Sequence, residues 1–184
     1  MPDAAMICAV DPGTTQSGFV MLYGDLVTRS GVLPNKEMLA VVSAHRGVVA
    51  IEMVASYGMA VGKEVFETVR WLGRFQQACA DPEAVKLVYR RDVKIHVCNS
   101  SKAKDPNVRQ ALLDMFPATG GGKTPQIGTK AKPGPLYGVS THAWAALGVA
   151  VTVQSRRAIP SPRVTEQPAP RKRRMKAARP GLFG

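Results

Sequence analysis

Residues 4–20 read AAMICAVDPGTTQSGFV, and this stretch decides the fold. Its first part, AAMICAV, is seven apolar residues without a break, the mark of a strand buried on both faces. The run stops at Asp11-Pro12-Gly13-Thr14-Thr15, a turn signal, and a second apolar strand spans residues 19–23. The DPGTTQSG connection is short and hairpin-like, so the two strands are expected to pair antiparallel. Residues 26–33 offer a third strand.

Downstream, GVVAIE (residues 47–52) is another fully buried strand, and it too ends in an acid. Residues 34–43 read as a short helix with Pro34 in its first turn. Residues 61–80 carry Val65, Val69, Leu72 and Phe75 at helical spacing, and residues 87–97 supply at least one more strand. Asp105-Pro106 suits the N-cap and first position of a helix reaching Met115. Ser140 or Thr141 caps a last helix that runs to about Val153. Strands first, then helices alternating with strands, predict an α/β fold: a mixed sheet with helices on both faces. The strands ending at Asp11 and Glu52 are expected to be parallel neighbours.

The chain has 184 residues and is 45% hydrophobic, enough for one core, so wholesale disorder is excluded. No apolar run approaches the roughly 20 residues of a membrane span, and no signal-peptide pattern opens the chain. Cys8, Cys79 and Cys98 show no paired spacing, which argues against a disulfide scaffold or zinc knuckle and for a reducing cytoplasm.

Charge is the dominant feature. Twenty-five Lys and Arg against 13 Asp and Glu give +12, which points to a polyanion partner. Residues 155–184 hold nine of the cations, including Arg171, Lys172, Arg173 and Arg174, with five prolines and the lone acid Glu166. That composition divides the chain into a folded domain, residues 1–154, and a flexible basic tail for phosphate contact, residues 155–184. A second irregular stretch, ATGGGKTPQIGTKAKPGP (residues 118–135), excludes helix and central strand and carries Lys123, Lys130 and Lys132. Its GGGKT is not a phosphate-binding P-loop, because the required earlier glycine and preceding strand are missing.

With acids scarce, those in apolar surroundings stand out. A carboxylate closing a buried strand is costly unless a cation neutralises it. A turn-capping Asp, or an acid just past a strand end, explains either Asp11 or Glu52 alone. Two such acids on neighbouring strands instead meet at one sheet edge, where open α/β folds place their sites. Paired oxygen ligands without cysteine suit Mg²⁺ or Mn²⁺. His142 adds a candidate ligand in the first turn of the last helix, where the dipole favours a neutral imidazole. A half-buried His packed on Trp144 is the structural alternative.

Three pieces, AVDPGTTQSGFV, VVAIEMVASYGMAVGKEVF and PLYGVSTHAWAALGVAV, resemble in sequence and order the RuvC-like Holliday-junction resolvases of the RNase H-like superfamily. The similarity covers about the first 154 residues and is strongest to compact phage-type members. The resemblance implies a five-stranded mixed sheet and a homodimer acting on two opposed strands of branched DNA. It also implies two Mg²⁺ ions per site, replaceable by Mn²⁺, and in-line hydrolysis to 5′-phosphate and 3′-hydroxyl ends. Asp11 takes the place of the metal-bridging carboxylate, Glu52 of the second acid, and His142 of a third ligand. Where the family often has another Asp, three residues on, this chain has Ala145. Either three ligands with water and phosphate oxygens suffice, or Asp105 substitutes.

Lys63, Lys102 and Lys104 flank the site in sequence and are candidate DNA contacts. Tyr57, in the loop after Glu52, is a candidate base-stacking residue or a lid over the core. Two other functions fit some of these features. Ala145 allows a non-catalytic binder of branched DNA. The DPGTT loop also occurs in actin- and kinase-like nucleotide phosphohydrolases, but those need two such domains, and no nucleotide cofactor is expected here.

Overall fold

Each predicted strand run contains a strand, and pairing between them sets the position of the acids. The computed structural model describes residues 5–140 and 142–158. The elements are β1 (Ile7–Asp11), β2 (Gln16–Tyr23), β3 (Leu26–Pro34), α1 (Asn35–Ala44), β4 (Val48–Met53), α2 (Lys63–Ala78), β5 (Lys86–Tyr89), α3 (Arg90–Cys98), α4 (Asp105–Asp114) and α5 (Ala143–Ala158). The five strands form one mixed sheet in the order β3-β2-β1-β4-β5. β1 is antiparallel to β2, with Asp11 opposite Gly18, and parallel to β4, with Val10 beside Ile51.

Strand alternation assigns the two faces. Cys8, Val10, Val49 and Ile51 point to one side, where Met38 and Val42 of α1 and Leu72 and Phe75 of α2 cover them. Ile7, Ala9 and Ala50 point to the other, under α3, α4 and α5. Ala143, Ala146 and Ala150 are small and buried in α5, and Gly148 lets that helix press against Val93 of α3 and Leu112 of α4. Both faces of β1 are therefore apolar, as its unbroken run requires.

Two expectations need correction. Residues 87–97 are not mainly strand: β5 ends at Tyr89, and Arg90 begins a helix in which Val93 and Val97 are one turn apart. Within α2 only Leu72 and Phe75 are fully buried; Val69 is 38% exposed and Phe66 66%. The apolar spacing there exceeds what this chain alone covers.

The stretch from 118 to 135 contains no helix or named strand, as its glycines and prolines dictate, yet the main chain braces it. Gly120 N–H donates to the Pro125 carbonyl, Gly121 N–H to Lys132 and Gly134 N–H to Ile127, all within 2.9 Å. The strands of this knot approach so closely that a Cβ on Gly128 would run into the backbone of Gly134. Its end is pinned to β3, where Val27 N–H donates to Pro135 and Ser30 Oγ to the Gly138 carbonyl.

Helix α5 continues through Ala158, four residues beyond the point where the sequence pattern places the tail. Arg171, Lys172, Arg173, Arg174 and the capping candidate Thr141 lie outside the described residues. No helix among the described residues is long and apolar enough to cross a membrane.

Candidate active site

Because β1 and β4 run parallel with Val10 beside Ile51, the next residues, Asp11 and Glu52, emerge side by side at the carboxyl edge of the sheet. Alternation turns both toward α5. The loop after Asp11 is fixed from below by two buried polar side chains. Ser17 Oγ donates to Asn35 Oδ1 at 2.7 Å, and Asn35 Nδ2 donates to the Gly13 carbonyl at 2.9 Å. The Asn35 main-chain N–H reaches the Thr15 carbonyl at 3.0 Å, which closes the brace.

Asp11, Glu52, Asp105 and His142 all line one cleft of about 520 Å³, together with Arg90, Arg109, Trp144 and Ala145. Burial pushes the Asp11 carboxyl up to about 6, partly offset by the positive charges of Arg90 and His142. Burial, reinforced by the negative charge of Asp11, pushes Glu52 up to about 7. Glu52 Oε2 is buried without a hydrogen-bond partner. The two acids are thus desolvated, mutually repelling and under-neutralised, the condition in which a divalent cation binds best.

Arg90 supplies part of the missing charge, and the sequence reading missed it. It follows Tyr89 of β5, which pairs with Met53 just beyond Glu52, so topology delivers its guanidinium to the same edge. Its Nη2 donates to Asp105 Oδ1 at 2.6 Å, while its Nη1 stands 4.0 Å from Glu52 Oε2. The available signal was positional: a cation directly closing a short strand, as the acids close β1 and β4.

The remaining predicted residues fall in different places. Asp105 is not an N-cap; Lys104 occupies that position, and no side chain caps α4. A hydrogen bond from Arg90 captures the carboxylate instead and, with the Arg90 charge, holds Asp105 below the usual carboxylate range. His142 precedes α5 rather than sitting in its first turn, and it is exposed. The Trp144 ring is covered by the Arg109 guanidinium, 4.8 Å from its centroid. No three His, Cys, Asp or Glu side chains among the described residues converge closely enough to hold one ion by themselves. Asp11 and Glu52 fit a cation that completes its shell with water and phosphate oxygens, as Mg²⁺ commonly does.

Tyr57 is 55% exposed, with left-handed backbone (φ 47°) followed by Gly58 (φ 85°). It lines a smaller pocket of about 320 Å³ with Arg90, Arg91, Lys94 and Ser101. Lys102 and Lys104 line a separate shallow groove with Cys98 and Asn107, so they stand outside the acidic cleft. Lys63 begins α2 and is exposed, away from these walls. Lys123, Lys130 and Lys132 project from the braced loop into solvent.

The main chain of His142 is wedged against β2. A Cβ on Gly18 would meet the His142 carbonyl, with its carbon only 2.8 Å away. Gly18→Ala is expected to displace His142 and cost about 1–3 kcal/mol through overpacking, read from the guanidinium midpoint. An unchanged midpoint would show that the loop yields freely.

No protein-family model matches the chain, and no curated protein sequence does. Solved structures do match. The Thermus thermophilus RuvC in complex with Holliday junction substrate superposes with a TM-score of 0.58 at 18% identity, over 84% of this chain and 96% of that one. Another Thermus thermophilus RuvC structure gives 0.58 at 17% identity, over 83% and 96%. The sheet order, the paired acids at its edge and these superpositions agree that the chain has the RuvC-like fold.

Proposed function

We propose that this protein is a divalent-metal-dependent endonuclease that cuts branched DNA, four-way junctions included. The observation that carries the reading is the pair of desolvated carboxylates, Asp11 and Glu52, at the carboxyl edge of a RuvC-like sheet. The solved neighbour in complex with Holliday junction substrate supports the substrate class.

Asp11 and Glu52 would hold Mg²⁺ or Mn²⁺, two ions per site, with His142 as an additional ligand from the α5 side. Bound cations supply charge neutralisation at the phosphate and acidify the attacking water, yielding 5′-phosphate and 3′-hydroxyl ends. Asp11 and Glu52 must be ionised to take up the cations, so metal affinity is expected to rise with pH through about 6 to 7, measured by Mg²⁺ or Mn²⁺ titration. Lys123, Lys130 and Lys132 and the basic segment from Arg171 to Arg174 add sequence-independent phosphate contacts. Exposed Met59, Val61, Phe66 and Val69, apolar groups on and just before α2, suit a homodimer that places two sites on opposed strands.

A non-catalytic binder of branched DNA is the second reading, favoured by Ala145 and by the lack of a preformed three-ligand cluster among the described residues. Incubation with four-way, flap and linear DNA in Mg²⁺ or Mn²⁺ separates the two. Paired cuts across the junction are expected. Tight, salt-sensitive binding with no cut in either metal would leave only the binder.

A further inference from the structure

Two orphaned atoms face each other in the cleft. Arg90 Nη1 and Glu52 Oε2 are both buried, both lack a hydrogen-bond partner, and stand 4.0 Å apart, too far to satisfy one another. A buried donor and a buried acceptor left open together are expensive in a finished structure. One ligand class satisfies both at once: a phosphate oxygen accepting from Nη1, accompanied by a cation on Oε2. Asp105 accepts from the other guanidinium nitrogen of Arg90 at 2.6 Å in a charge-assisted bond, which biases the direction of that group. Arg90 is also the wall shared by the acidic cleft and the pocket of Tyr57, Arg91, Lys94 and Ser101, so the two border each other at its guanidinium.

We infer that Arg90 is a phosphate clamp for the DNA strand being cut, and that Asp105 is its positioning residue rather than a metal ligand. This rests on the cleft being a DNA site, as proposed above. Arg90 donates to a non-bridging oxygen at the branch, in the fork geometry that suits phosphate. Asp105 fixes the direction from which it donates.

The test uses the full chain and a set of four-way junctions in which a single neutral methylphosphonate is walked through the branch. Binding is followed by fluorescence anisotropy both in chelator and in Ca²⁺, read before any cutting, so the readout does not depend on cleavage and the cation that accompanies the phosphate is supplied in one arm. Arg90→Gln is expected to weaken binding about tenfold and to reduce the slope of log K against log salt by about 1, the signature of one lost phosphate contact. At one methylphosphonate position the Arg90→Gln loss should disappear, because the charge it grips is already gone. Arg90→Lys should restore the slope but not the full affinity. Asp105→Asn should keep the slope while shrinking the coupling at that same position. Additive losses at every position would overturn the clamp. An Asp105→Asn variant with intact coupling but weakened Mg²⁺ affinity would overturn the positioning role. A clamp signature together with no cutting in Mg²⁺ or Mn²⁺ would uphold the clamp and sink the nuclease reading alone.

Discussion

Asp11→Asn is expected to abolish metal-dependent cutting of a four-way junction while leaving junction binding intact. The substitution keeps the shape and removes the charge at the point where β1 meets β4. Loss of mere outer-shell partners of a metal costs about 10–100-fold, so loss of a carboxylate ligand should cost about 10³-fold or more. Binding should survive, because the proposed phosphate contacts are made by cations and not by the Asp11 carboxylate. Single-turnover cleavage and anisotropy on the same junction measure the two halves. Unchanged cleavage would remove Asp11 from the chemistry.

Glu52→Gln is expected to do the reverse to the fold, stabilising the metal-free protein at neutral pH and above. Glu52 ionises near 4.5 in an unfolded chain and near 7 in the native one. The native state therefore holds the proton more tightly. The stabilising contribution of protonated Glu52 is complete below about pH 4.5 and is lost as pH rises through about 7. Asp11, raised from 3.8 to about 6, adds a loss of the same sign at slightly lower pH. Removing the Glu52 charge should recover about 2 kcal/mol at pH 8, seen as a Tm increase of about 4–8 °C in chelator. The gain should vanish near pH 4. Mg²⁺ should raise the wild-type Tm but not that of the variant. A variant less stable than wild type at pH 8 would mean that the Arg90 charge compensates the carboxylate more fully than burial penalises it.

These two predictions concern residues that the sequence already exposed. Asp11 and Glu52 were legible because a strand buried on both faces leaves no innocuous place for an acid at its end. The antiparallel and parallel pairings of β1 followed from connection length and from the intervening helix. Arg90 was not legible, because Val88, Val93 and Val97 are β-formers, and the segment lacks the cap residues that would mark a helix start. Without that helix, Asp105 had no visible partner, and its capping role was the natural expectation. His142 lines the cleft, but its exposure depends on how the chain from the 118–135 loop enters α5, which no local pattern encodes. On α2, periodicity correctly identified a helix and overstated what one chain buries, since periodicity does not reveal whether a second surface is needed.

The braced loop from 118 to 135 has a final consequence. Its shape comes from main-chain hydrogen bonds and from glycines packed against each other, while Lys123, Lys130 and Lys132 stand outside that frame. Scaffold and charge are therefore separate inheritances: the lysine side chains can be exchanged one by one without disturbing the frame, whereas Gly120, Gly128 and Gly134 admit almost no variation.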